Sequence, residues 1–176
     1  MSELANGSIA ESSSAISEHS DVAVTQIAAR RDGRETLRDL ARSIFGADLP
    51  LTPRVVQAGE RMIVWAGPDH WLIIDKRSGD ADPSAQLAKA LHGVASVLDV
   101  SDSRTIFRLH KAHPSDALVR SMAIDFEDNA FKPGDVAITQ VAHLGLMVWR
   151  LPDGSGYEFA CARTYARDFF HWLGKA

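Results

Sequence analysis

One cysteine, Cys161, is all that the 176 residues contain. No intrachain disulfide framework can exist, and a lone thiol fits a reducing compartment. No apolar run approaches the roughly 20 residues needed to span a bilayer, so a membrane-spanning helix is excluded. Basic clusters are also missing: the net charge is −4, the pI is near 5.9 and the charges are interspersed. That speaks against a nucleic-acid or membrane-surface partner, which would call for a basic patch. The first residues lack the basic and apolar regions of a secretory signal, which leads to the expectation of a cytoplasmic chain. Nucleotide and hydrolase motifs are absent as well. Gly154-Ser155-Gly156 follows Asp153, but it has no third glycine and no βαβ context, so it reads as a hairpin turn. No Gly-Lys-Ser/Thr loop and no Gly-x-Ser-x-Gly elbow occurs. Seven histidines are scattered, and only His110 and His113 are close. Three protein ligands are the minimum for a zinc site, so no metal site is expected. Cys161 lies in an apolar segment with no cationic partner to assign, and it reads as a small buried hydrophobe.

What the chain does contain is a globular composition, 45% hydrophobic and 24% charged, at a length that suits one domain or two small lobes sharing a core. Residues 1–20 are rich in Ser, Ala and Glu. They cannot bury enough surface to offset the entropy of ordering, so they read as a flexible tail, or as an arm that orders against a partner. Strands are expected at residues 22–28, 62–65, 71–74 and 96–100, where the β-branched and apolar content is high. Helices are expected at 35–45, with Leu37, Leu40, Ala41 and Ile44 on one face and Gly46 as a left-handed cap, and from Pro83 to a stop at Gly93. The order β-α-β-β-α-β is that of a split βαβ unit. A second half follows, with a strand at 105–110, a helix from Pro114, strands at 136–141, 146–151 and 157–161, and a terminal helix at 164–173. The expected fold is therefore α+β, two ferredoxin-like lobes in tandem with antiparallel sheets. The lobes run over about 21–102 and 103–176 of a single domain spanning 21–176.

The acids Asp99, Asp102, Asp125, Glu127 and Asp128 cluster in sequence. Such residues do acid–base work when one is buried with a raised pKa, and more often cap turns. Trp65 and Trp71 flank a Gly67-Pro68-Asp69-His70 turn. They read either as core or as anchors of a protein interface, where Trp, Tyr and Arg are enriched. Arg104, Arg163 and Arg167 carry the same two readings. On the terminal helix Ala166, Phe169, Phe170 and Leu173 share one side, and Trp172 is offset.

Four stretches, taken in order, resemble a known family. They are Trp65-Ala66-Gly67-Pro68-Asp69-His70-Trp71-Leu72, Asp99-Val100-Ser101-Asp102-Ser103-Arg104, Phe131-x-Pro133-Gly134 and Arg163-x-x-Ala166-x-x-Phe169-x-x-Trp172-Leu173. The Asp-x-Ser turn and the following strand are similar to the glycine-cleavage T-protein and sarcosine-oxidase superfamily. Within it the chain resembles the gamma subunit of heterotetrameric sarcosine oxidase. Lys111-Ala112-His113 stands in place of the superfamily's glycine-led helix entry, a departure that speaks against catalysis by this chain. The resemblance implies a fold like the T-protein N-terminal domain and a non-catalytic, accessory role. The complex would demethylate sarcosine to glycine, with oxygen giving hydrogen peroxide and tetrahydrofolate accepting the one-carbon unit. FAD, FMN, NAD, tetrahydrofolate and zinc would be held by the alpha, beta and delta subunits, and no catalytic, cofactor or metal residue lies in this chain. Partner contacts would come from Trp65, Pro68, Asp69, Trp71, Arg104, Arg163 and Trp172. The alternatives are a stand-alone folate protein of the T-protein type, acting in one-carbon transfer or iron–sulfur maintenance, and a ferredoxin-like interaction module with another partner.

Overall fold

The alternation of side chains along the strands sets the architecture. In a computed structural model that describes residues 15–175 apart from 80, 112 and 113, the strands Arg61–Gly67 (β4) and His70–Lys76 (β5) are apolar on both faces. Their odd residues Ile63, Trp71 and Ile73 pack on helices Arg34–Phe45 (α1) and Pro83–Ala90 (α2). Their even residues Met62, Val64, Leu72 and Ile74 face a second sheet. A period of two with both faces covered gives a continuous apolar run.

The first sheet contains Val22–Ala29 (β2), Val55–Ala58 (β3), β4, β5 and Ala95–Asp99 (β6), in the order β3-β4-β5-β2-β6. The second contains Ile16–Glu18 (β1), Arg104–Leu109 (β7), Val136–Val141 (β8), Leu144–Arg150 (β9) and Tyr157–Ala162 (β10), in the order β1-β7-β10-β9-β8. All pairings are antiparallel. Asp116–Ser121 (α3) and Ala166–Leu173 (α4) cover the outer face of the second sheet through Leu118, Ala166, Phe169, Phe170 and Leu173. The layers therefore run helices, sheet, sheet, helices, with Val22, Val24, Met147, Trp149 and Ala160 among the residues between the sheets.

The β2-α1-β4-β5-α2-β6 series has the split βαβ order, with β3 added at its edge. The second sheet repeats that order: β8, β9, β10 and β7 stand where β3, β4, β5 and β2 do. The place of β6 is filled from the other end of the chain, by β1. Three expectations need correction here. Residues 16–18 were expected in a tail, yet they form β1, because Ile16 buries itself in the second core and the strand pairs with residues 107–109. The part of that tail before residue 15 lies outside the described residues. The first half also has one strand more than expected, β3, which the prolines at 50 and 53 obscure in sequence. Ser115 shortens the third helix relative to its expected start at Pro114, since its Oγ accepts from the Leu118 amide at 3.2 Å. Gly46 does end α1 in the left-handed conformation, with φ 79°.

Gly154-Ser155-Gly156 forms the connection between β9 and β10. Gly154 has φ 73°, and a Cβ on Gly156 would lie 2.1 Å from the Leu109 carbonyl oxygen. The pair serves a turn and a close backbone approach. Gly156→Ala is expected to destabilise the fold by about 1–3 kcal/mol through that overlap, measured by urea unfolding.

Candidate functional site

Residues of both sheets line a cleft of about 470 Å³. Val22, Met62, Ile74 and Leu151 form its apolar floor, and His19, Asp21, Glu60, Lys76, Arg108 and Asp153 line its charged rim. Beneath that rim lies Glu158, whose side chain is 0% exposed. The sheet register puts it there: Glu158 stands opposite Arg108 on β7 and opposite Trp149 on β9. Its Oε1 accepts from Arg108 Nε at 2.9 Å and Nη2 at 2.6 Å, and lies 3.0 Å from His19 Nδ1. Its Oε2 accepts from Trp149 Nε1 at 2.9 Å. Burial pushes the Glu158 carboxyl up, but the His19 hydrogen bond and the Arg108 charge outweigh it and hold it below the usual range. The carboxylate is 0% exposed and its close polar contacts come from His19, Arg108 and Trp149, so this arrangement joins strands and presents no exposed oxygen to a pterin ring. Nothing in the expected set of site residues included Glu158. The available signal was a charge in the middle of an apolar strand, Tyr157-Glu158-Phe159, matched by Phe107-Arg108-Leu109.

The expected contact residues fall in three places. Trp65, Pro68, Asp69 and Trp71 surround the β4–β5 turn. Trp65 is half-buried and Pro68 exposed, while Asp69 takes φ 59° and binds Arg34 Nη2 at 2.7 Å. Trp71 is 2% exposed and donates from Nε1 to the Pro50 carbonyl at 2.8 Å. Its assignment as a partner contact is corrected: the side chain is core and offers no surface. Arg104 and Arg163 do come together, the Arg163 amide donating to Ser103 O at 2.9 Å, with Glu18 Oε1 3.8 Å from Arg163 Nη1. Trp172 stacks on Phe169 with centroids 5.7 Å apart, on α4.

Three of the acids near the central unit, Asp99, Asp125 and Asp128, are turn or ion-pair groups. Asp99 Oδ1 accepts from Ser101 Oγ at 2.6 Å and from its amide at 2.9 Å, which holds that carboxyl below the usual range. Ser101 Oγ in turn accepts from the Val24 amide at 2.9 Å, where the chain crosses from one sheet to the other. Asp125 caps the Glu127 amide and Asp128 pairs with Arg150. Among the described residues no three His, Cys, Asp or Glu side chains gather as metal ligands, and no helix is long and apolar enough to cross a membrane. Cys161 is buried, and burial pushes its thiol up to about 11. The folded chain is therefore expected to resist thiol reagents at pH 8 and to label only on unfolding, read by a colorimetric thiol assay.

Compared with known proteins, residues 34–176 match the profile of the sarcosine oxidase, gamma subunit family. The chain belongs to that family. All four stretches that carry the resemblance lie within the matched range. Two curated gamma subunits align over 112 residues, from Corynebacterium sp. (strain P-1) at 29% identity and from Arthrobacter sp. at 26%. The aligned part is 63% of this chain and 54% of each relative, so it spans about half the length of those gamma subunits. Among solved structures, heterotetrameric sarcosine oxidase from Corynebacterium sp. U-96, in complex with pyrrole 2-carboxylate, superimposes with a TM-score of 0.75 at 21% identity, covering 90% of this chain and 80% of that one. Glycine cleavage system aminomethyltransferase T from Bartonella henselae gives 0.64 at 13%, over 90% and 44%. These two likenesses establish the fold, an α+β arrangement shared with a chain of heterotetrameric sarcosine oxidase and with the aminomethyltransferase.

Proposed function

We propose that this gamma-family chain is a non-catalytic, structural subunit of a cytoplasmic sarcosine oxidase complex with alpha, beta and delta partners. The complex oxidatively demethylates sarcosine to glycine with oxygen and tetrahydrofolate, and FAD, FMN, NAD, tetrahydrofolate and zinc are held by the partners. The observation that carries this reading is the family match over residues 34–176. The geometry supports it: the one fully buried carboxylate among the described residues, Glu158, joins three strands and the β1–β2 connection, and the thiol is buried in the core. Both are structural uses. A free-standing folate protein would need a carboxylate open to the pterin, and Glu158 is 0% exposed.

A subunit of this kind acts on rate only through the folded population of its partners. The test is to prepare the complex with and without this chain and compare thermal stability with turnover per bound flavin. The expected result is a lower melting temperature with unchanged flavin reduction by sarcosine in whatever remains assembled. A change in the reduction rate at full flavin occupancy would refute the non-catalytic role.

A further inference from the structure

The outer edge of β6 has a use that the gamma-subunit reading leaves open. The Val100 amide donates to Val24 O at 2.8 Å and the Arg30 amide donates to Val94 O at 3.0 Å. Antiparallel alternation then turns the backbone groups of even residues towards β2 and those of Val97 and Asp99 outward. β6 ends its sheet, so these outward groups meet no strand. Its sequence, Ala95-Ser96-Val97-Leu98-Asp99, has no lysine, proline or bulge of the kind that guards free edges. Leu98 is 61% exposed, the most exposed large apolar side chain among the described residues.

Charge marks what the edge suits. At the start of β6 lies a hollow of about 280 Å³ lined by Arg30, Ala88, His92, Gly93, Ser96 and Val97 among others. Arg30 and His92 are exposed and make no ion pair or side-chain hydrogen bond among the described residues. The Arg30 guanidinium is thus an unpaired cation at one end of an open strand, with the His92 ring lining the same hollow. The acid at the other end, Asp99, has its Oδ1 tied to Ser101, so the only carboxylate a second copy would bring within β6 is one already committed to its own turn.

We infer that the free edge of β6 receives an extended strand from a partner subunit, which pairs with the Val97 and Asp99 backbone, covers Leu98 with an apolar side chain and places a carboxylate on Arg30 and His92. Main-chain pairing gives such a contact its affinity, and the flanking side chains give its specificity. The inference rests on the subunit reading above.

Amide hydrogen exchange, measured on the free chain and on the assembled complex, tests it. The Val97 and Asp99 amides exchange at least about tenfold more slowly in the complex. The comparison edge is β8, whose Val136 amide points away from β9 to Pro53 O. Its Ile138 and Gln140 amides keep their rates. Leu98→Asp and the pair Arg30→Glu, His92→Glu alter exposed side chains only, and they lower co-purification with the partners about tenfold at an unchanged melting temperature. A complex in which Val97 and Asp99 exchange as fast as in the free chain overturns the strand addition while leaving the subunit reading standing. Slowing that depends on the concentration of the free chain overturns it in favour of a second copy. A wild-type chain that forms no complex overturns the subunit reading and this inference together.

Discussion

Replacing Glu158 by alanine is expected to lower the unfolding free energy by about 3 kcal/mol, the low end for breaking a buried ion pair because Arg108 and His19 are each about a third exposed. The loss has three parts. Arg108 keeps a charge beside an apolar floor with its carboxylate gone, the buried Trp149 N–H loses its acceptor, and His19 loses the contact that fixes the β1–β2 connection. The effect has a pH signature. The carboxyl is held below its ordinary value in the folded state. Its contribution is therefore fully present above the ordinary carboxylate range, begins to fall as pH enters that range and is lost as pH drops on through the lower folded-state value. Urea unfolding between neutral pH and pH 4 should show the wild-type chain losing more stability than Glu158→Gln. Parallel pH profiles would contradict this role for Glu158.

Trp71→Ala is expected to cost about 3–5 kcal/mol, the range for emptying a large buried aromatic site. The indole packs with Ile27, Leu37 and Phe45 in the core between the first sheet and α1 and α2. Its N–H also holds the Pro50 carbonyl, so the substitution leaves an orphaned acceptor. Trp65 makes the internal comparison. The two tryptophans are register partners across β4 and β5 and share a face, but Trp65 is only half-buried. Trp65→Ala should therefore cost less than half as much stability. Thermal and urea melts of the two variants check the difference, and equal losses would contradict it.

Much of the fold could be read from spacing. The strands at 62–65 and 71–74, the helix at 35–45 and its Gly46 cap announce themselves because their patterns are long and regular. The tandem of two α+β lobes was legible too, although with β3 unread their successions differed, and the shared strand order emerged only in the sheets. β1 was hidden because three residues in a Ser-rich stretch carry no periodicity. Its pairing with β7 joins residues 16–18 to 107–109, a separation that local pattern cannot report. β3 was hidden by neighbouring prolines that read as extended chain. The site was less legible than the fold. Trp71 looked like an interface anchor because sequence does not say which tryptophan of a hairpin sits under a helix. Glu158 went unnoticed because its three partners come from separate parts of the chain, His19, Arg108 and Trp149. A carboxylate in mid-strand between Tyr157 and Phe159 was the only trace that it left in sequence.

The measurement that bears most directly on the central claim is a pull-down of the tagged chain from its native cells, followed by an absorbance spectrum of what comes with it. Recovery with larger yellow flavoprotein chains, while the isolated chain is colourless, is the predicted result for a non-catalytic subunit. Recovery alone, with saturable binding of tetrahydrofolate, would contradict it and point to a free-standing folate protein.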